Sequence, residues 1–293
     1  MKRSFSQMND SEEYGQVHMG ITKVDSFIKM FELVKKLLIE TTLSFSPELG
    51  MTIFDSDSSN VAFINMILRP SYFSMFECIG PPVKFIIPLH LFYEALKCMN
   101  TSNKNAYIEI KLNEETMTIS SKNANYGENT SIKINSRNGI SEENQININD
   151  LNNLEYPQFM QITSKRLEKM CNSMKSLDNN YVKFERKGNR FIISSDNSSN
   201  SFTNEMTFDQ GLMIGMNGVD QKAVDCSVTV PLMYVQTVSQ AHKLSDHMNI
   251  CISDSPNIPV VLRYNILSGV TKDDVSMLTI FISPKIEHEE EPY

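Results

Sequence analysis

The chain has 293 residues, 41% of them hydrophobic and 21% charged, the balance of a globular protein with a sizeable core. No apolar run approaches the roughly 20 residues a membrane span needs, and the first ten residues carry no apolar stretch of the kind found in secretory signals. A formal charge of -8 argues against an openly basic nucleic-acid surface, so contact with DNA requires the basic residues to gather on one surface with the acidic ones elsewhere.

Residues 1–15 are polar and unpatterned and read as an extension. Alternation from His18 to Val24 predicts a strand. Phe27, Phe31, Val34 and Leu38 recur at helical spacing, which predicts a helix over Ser26–Ile39. Strand-like runs follow at Leu43–Ser46, Met51–Phe54, Val61–Leu68, Tyr72–Glu77 and Val83–Ile87. Pro88 then opens a second helix, with Leu89, Phe92, Leu96 and Met99 as its apolar stripe. Ala106–Leu112, Thr116–Lys122 and Ser131–Ile134 alternate as strands do.

The polar stretch from Ser136 to Glu155 interrupts this pattern. Ile146, Ile148, Leu151 and Leu154 stud it, and a purely flexible linker would need no such residues. They predict a linker that lies on the protein. The earlier order then returns. A helix is predicted over Ser164–Leu177, then strands at Tyr181–Glu185, Arg190–Ser194 and Glu205–Phe208, a looser stretch over Asp209–Lys222, and a run from Cys226 through Pro231-Leu232 into a helix ending near Leu244. Strands at His247–Ser253, Pro259–Ile266 and Met277–Ser283 complete the half. The junction at Pro231 repeats the one at Pro88. A repeated helix–strand unit predicts an α+β chain of two similar domains joined by a linker.

No sequence motif for catalysis stands out. Phosphate-loop, dinucleotide, nucleophile-elbow and zincin patterns are missing from the sequence. Asp55-Ser56-Asp57-Ser58-Ser59-Asn60 begins like a calcium loop, but Asn60 replaces the needed glycine and Met66 cannot ligate, so a polar turn is the reading. Gly211, Gly215 and Gly218 match no phosphate motif. The five histidines are scattered, and the five cysteines (Cys78, Cys98, Cys171, Cys226, Cys251) are odd in number and widely spaced, which points to reduced thiols. No catalytic residue, metal or cofactor is expected, and a binding role is favoured.

Three segments carry a resemblance. Asp57-Ser58-Ser59-Asn60-Val61-Ala62-Phe63 with Leu68-Arg69 resembles a D-S-S-H-V run and the L-R after it. Leu96-Lys97-Cys98 is similar to an L-K-C at the end of a second helix. Ile258-Pro259-Val260-Val261-Leu262-Arg263-Tyr264, with Ile282-Ser283-Pro284-Lys285-Ile286-Glu287, resembles V-P-L-V-V-E-Y and a terminal L-A-P-K-I-E. Together, in order and on the repeated pattern, they identify the chain as resembling the eukaryotic PCNA family of DNA sliding clamps.

The resemblance implies two clamp domains with helices lining a ring and sheets outside. The expected boundaries are an extension over 1–15, domains over 16–137 and 156–287, a connecting linker over 138–155 and an acidic tail over 288–293. It implies a homotrimer that encircles double-stranded DNA without reading its sequence, no membrane role, and partners such as a DNA polymerase, a clamp loader and other proteins carrying a clamp-interacting peptide. A subunit of a hetero-trimer, or a clamp-fold scaffold that does not encircle DNA, is the alternative. The implied location is the nucleus, or, for a viral chain, the host nucleus or a cytoplasmic replication factory.

Carried over by position, Lys29, Lys35, Lys97 and Lys169 are expected on the pore face, with His242 and Lys243 adding charge in the last helix. Ile28, Glu94, Asn172, Met233 and Gln240 stand where the family often has a basic residue. The implied partner pocket has walls from Val61, Phe63, Pro259, Phe281, Ile282, Ser283, Pro284 and Ile286, with Ile148 and Leu151 from the linker. Ser56 replaces the family's methionine there, and Phe63 is bulkier than its leucine. Thr130, Ser131, Ile132, Lys133 and Ile134, with Glu205, Met206, Thr207 and Phe208, match the strands that pair between subunits. Arg186, beside Lys187, stands at the family's modified lysine.

Overall fold

A computed structural model describes residues 16–100, 107–113, 115–123, 128–136, 151, 154, 156, 158–207, 225–255, 257–266 and 275–285. The first repeat runs β1 (Gln16–Ile21), α1 (Val24–Leu37), β2 (Glu40–Ser46), β3 (Gly50–Ser56), β4 (Ala62–Leu68), a 3-10 turn (Pro70–Tyr72), β5 (Met75–Ile79), β6 (Val83–Pro88), α2 (Leu89–Asn100), β7 (Ile108–Leu112), β8 (Thr116–Asn123) and β9 (Glu128–Asn135). The second runs β10 (Gln158–Thr163), α3 (Ser164–Ser176), β11 (Tyr181–Lys187), β12 (Arg190–Asp196), β13 (Ser201–Thr207), β14 (Cys226–Pro231), α4 (Leu232–Ser239), a 3-10 turn (Gln240–Lys243), β15 (His247–Ile252), β16 (Val260–Ile266) and β17 (Ser276–Ile282).

The two halves share one topology. The order β6-β2-β3-β4 in the first repeat is matched by β14-β11-β12-β13 in the second, and β1-β7-β8-β9 by β10-β15-β16-β17. The proline junctions match in detail. Pro88 pairs with Glu40 and Pro231 with Tyr181, and the next amide donates across the strand in each case, Leu89 N to Ile39 O at 3.0 Å and Leu232 N to Asn180 O at 2.8 Å. A proline ends the strand without needing a donor, and its fixed φ turns the chain into the helix.

The repeats are fused through β4 and β17. Antiparallel pairing from Ala62 opposite Ile282 to Ile67 opposite Met277 joins them into one eight-stranded sheet, β10-β15-β16-β17-β4-β3-β2-β6. The remaining strands form a five-stranded sheet ending in β9 and a four-stranded sheet ending in β13.

All four helices pack on one side of the sheets. On α1, the spacing of Phe27, Phe31 and Val34 places all three in the core at zero exposure. Phe31 meets Phe92 of α2 edge-on at 4.7 Å between ring centroids, and Phe27 lies 5.0 Å from Phe31. Aromatic pairs in this arrangement add to the burial that drives the packing. The opposite faces are mostly polar, with Leu91 of α2 and Met233 of α4 also exposed there.

Several elements depart from the sequence expectation: β10 was not anticipated, α1 begins at Val24, which alternation placed in a strand, and ends at Leu37, and β9 begins at Glu128. β13 starts at Ser201, four residues before the expected Glu205, because tertiary pairing with β12 recruits the Ser- and Asn-rich segment that local propensity leaves out. The last helix ends at Ser239 and closes in a 3-10 turn. Tyr72 belongs to a 3-10 turn, and the strand expected from it starts at Met75.

Candidate functional site

Two surfaces collect the candidate residues, one on each side of the sheet. The helix layer carries the candidate cations. Lys29 on α1, Lys97 on α2, Lys169 on α3 and Lys243 after α4 are exposed, and Lys35 is partly so. Lys29 and Lys243 line one crevice between α1 and the turn after α4, so the seam between repeats brings them together. Lys36 spans the same seam, donating to Gln240 Oε1 at 2.6 Å. Lys35 lies over the Tyr93 ring at 3.5 Å from its centroid, and Lys97 stands 6.0 Å from the same ring. His242 is held by Glu168 of α3 at 3.3 Å. Of the non-basic positions, Ile28 is buried, while Met233 is 64% exposed.

The other surface is an apolar row on the outer face. Antiparallel registers set Phe63 opposite Phe281, Phe281 opposite Val261, Val261 opposite Cys251 and Cys251 opposite Phe159. Side chains at directly paired positions point to the same face, so five strands contribute one continuous line. Leu151 of the linker and Tyr156 just after it lie on it and are buried, with Phe54, Leu154 and Ile258 around the rim. This cluster is separate from the main core. The linker is therefore attached to the sheet by its apolar residues.

Near this row the chain closes on a hydrogen-bonded turn. Asp57, 7% exposed, accepts from the Val61 amide at 2.8 Å, the Ala62 amide at 2.7 Å and the Tyr234 hydroxyl at 2.7 Å, with the Ser59 hydroxyl also donating to it. Burial works to raise its pKa, but the donations from Ser59, Ala62, Tyr234 and Val61 outweigh it and hold the carboxyl below its ordinary value. The segment that begins like a calcium loop is thus a turn whose acid serves its own backbone.

No protein-family model matches the chain. A proliferating cell nuclear antigen of Dictyostelium discoideum is 23% identical over 267 residues, which cover 88% of this chain and 95% of that protein. DNA polymerase sliding clamp 3 of Sulfurisphaera tokodaii is 24% identical over 280 residues, covering 92% and 100%. A crystal structure of a PCNA2–PCNA3 complex from Sulfolobus tokodaii matches at a TM-score of 0.73 and 22% identity, over 92% of this chain and 99% of that one. The chain is thus similar over most of its length to PCNA sliding clamps and has their fold.

On this clamp fold the positions expected for the partner pocket divide. Phe63 and Phe281 lie in the outer row, and Leu151 covers it. Pro259, Ser283 and Pro284 are half-buried. Ile282 packs into the main core on the helix side, because it neighbours Phe281 and successive side chains alternate. Val61 also packs against that core, its carbonyl accepting from Ser283 N at 2.8 Å. Ile148 and Ile286 lie outside the described residues. Tyr156, Cys251 and Val261 were missing from the sequence reading of the clamp's pocket. Tyr156 was legible only as an aromatic next to the studded linker.

The clamp's expected interface residues fall on the two sheet edges. Ile132 and Ile134 of β9, and Met206 of β13, are half-buried and pack on the core, while Thr130, Ser131, Lys133, Glu205 and Thr207 are exposed. Glu205 pairs with Arg190 of the neighbouring strand at 3.2 Å. Phe202, also half-buried on β13, shares the face of Met206 and was not anticipated. Phe208 lies outside the described residues. Arg186 is 3% exposed, its Nε donating to Gly188 O at 3.2 Å, and Lys187 beside it is exposed.

Proposed function

We propose that this chain is the subunit of a closed ring that encircles duplex DNA, acts as a processivity factor for a DNA polymerase, and recruits replication and repair enzymes without catalysis of its own. The observation that carries the ring is the joint between β4 and β17. By the internal repeat, β13 is the counterpart of β4 and β9 the counterpart of β17. The pairing that fuses two repeats within one chain can therefore be made again between chains, β13 of one on β9 of the next. A head-to-tail contact of this kind closes when its rotation divides a full turn. Half-exposed Ile132 and Ile134 on one edge, and Phe202 and Met206 on the other, are the faces such pairing would bury. Exposed apolar edge strands otherwise invite aggregation.

Three copies of the same chain make the simplest ring. The exposed Lys133 on β9 and Glu205 on β13 carry opposite charges, which is compatible with pairing of identical chains. A hetero-ring is the second reading, and the PCNA2–PCNA3 complex among the similar structures favours it. In either ring the lysine-bearing helices would face the hole. Retention by encirclement needs only weak phosphate contacts, which suits a protein that slides and explains how a chain of charge -8 could hold DNA.

The outer row is the proposed dock for partner peptides with a glutamine and aromatic anchors. Anchors of that kind derive most of their affinity from burial in a small apolar pocket. Phe63 and Ser56 would set which anchors fit. A nuclear location follows for a cellular clamp, and the host nucleus or a cytoplasmic factory for a viral one.

The test is the mass in solution by light scattering over a concentration series. A stable mass of three chains supports the self-sufficient ring. A monomer at every concentration overturns it and leaves the hetero-ring.

A further inference from the structure

Tyr93 sits on α2, partly exposed on the helix layer, with a lysine from each of two helices drawn to its ring. Lys35 of α1 lies 3.5 Å from the ring centroid, and Lys97 of α2 lies 6.0 Å from it. The negative face of an aromatic ring attracts an ammonium and restrains a side chain that otherwise samples many rotamers. Two like charges on neighbouring helices normally keep apart; here one ring gives both a reason to stay.

The second repeat lacks this device. Counting from the matched prolines, Tyr93 corresponds to Gln236, and Gln236 donates instead to Asn172 of α3 at 3.3 Å. The first repeat thus presents an aromatic flanked by two cations where the second presents a neutral amide pair. Glu94, next to Tyr93, adds an acid to α2, so the placement of the remaining cations matters more.

We propose that Tyr93 is a DNA-positioning residue: its ring holds the Lys35 and Lys97 ammoniums as a pair that meets backbone phosphates of the encircled duplex. The inference rests on the ring reading above. It makes the first repeat of each subunit the stronger electrostatic contact and the second the weaker. Tyr93 carries no charge itself and acts through the two lysines.

The test compares Tyr93→Phe, which keeps the ring face, with Tyr93→Gln, which installs the second repeat's residue. Affinity of the full-length protein for a short duplex is measured by fluorescence anisotropy across a salt series, with assembly followed by light scattering. Tyr93→Phe should bind within two-fold of the parent. Tyr93→Gln should bind about two- to five-fold more weakly for each engaged subunit at low salt, with a shallower salt slope and an unchanged mass. A Tyr93→Gln protein with the parent's affinity and slope overturns the proposal.

The double variant Lys35→Ala, Lys97→Ala separates the two levels of inference. If it also binds like the parent, the phosphate-facing helix layer itself is wrong. If it weakens while Tyr93→Gln does not, only the positioning role fails. Proton spectra supply a readout that does not depend on DNA: the Lys35 ε-methylene should be shifted upfield by the ring in the parent and in Tyr93→Phe, and absence of that shift in the parent also sinks the idea.

Discussion

The Tyr234 hydroxyl donates to Asp57 Oδ2 at 2.7 Å, and the two residues belong to different repeats. Ser59 Oγ lies 2.9 Å from the same hydroxyl. The turn between β3 and β4 is thereby tied to the first part of α4, beside the β4–β17 joint. Tyr234→Phe removes one donor from a buried carboxylate and should lower unfolding free energy by about 1–2 kcal/mol in urea titration. An unchanged midpoint would mean that the joint does not depend on this bond.

The same carboxylate sets a pH dependence. Asp57 has its folded pKa lowered from 3.8, so its contribution is complete above that value and is lost as pH falls through the lowered one. Asp57→Asn should flatten the fall in thermal stability at acid pH relative to the parent, while lowering stability near neutrality. Parallel acid curves for the two proteins would refute the assignment.

The edges of the subunit are unlike one another, and this has a distinctive consequence. Ile132→Asp spoils the β9 edge and Phe202→Asp the β13 edge, and each variant alone should run as a monomer. Mixed in equal amounts, they retain one intact β13 and one intact β9 between them. They should form a dimer and stop there, because the second pair of edges is broken in both. A mixture that stays monomeric, or that forms trimers, would contradict the head-to-tail pairing.

Partner peptides should report on the outer row without disturbing assembly. Phe63→Ala removes a ring that is 4% exposed and stands opposite Phe281. A fluorescent peptide bearing a glutamine and two aromatic anchors should bind it at least about ten-fold more weakly, the scale of a lost hot-spot contact. The mass in solution should stay that of the parent. Equal peptide affinity in both proteins would move the dock elsewhere.

The aromatic packing between α1 and α2 holds the helix pair of the first repeat together. Phe92 is fully buried and meets both Phe31 and Phe27. Phe92→Ala should cost about 3–5 kcal/mol of unfolding free energy, the usual range for emptying an aromatic core site. A loss below about 1 kcal/mol in denaturant titration would show that the helices are held chiefly by other contacts.

What the sequence by itself determined is local and periodic. Phe27, Phe31 and Val34 recur at helical spacing, so their burial on one face of α1 was legible, and Pro88 and Pro231 announced the same strand-to-helix turn twice. The lysines on the helices were legible too, since a residue off the apolar stripe has only solvent to face. Tertiary structure decided whatever depends on register. Leu278 to Ile282 of β17 is almost wholly apolar and buried on both faces, so alternation could not say that Phe281 faces the linker while Ile282 faces the helices; pairing with Phe63 and Ala62 made that choice. Phe202 lies in a polar stretch that becomes a strand only because β12 offers it a partner. Tyr156 acquires its place beside Cys251 and Val261, and Tyr93 its pair of lysines, from elements distant in the chain. Periodicity reports which face of an element is apolar, and only packing decides what meets that face.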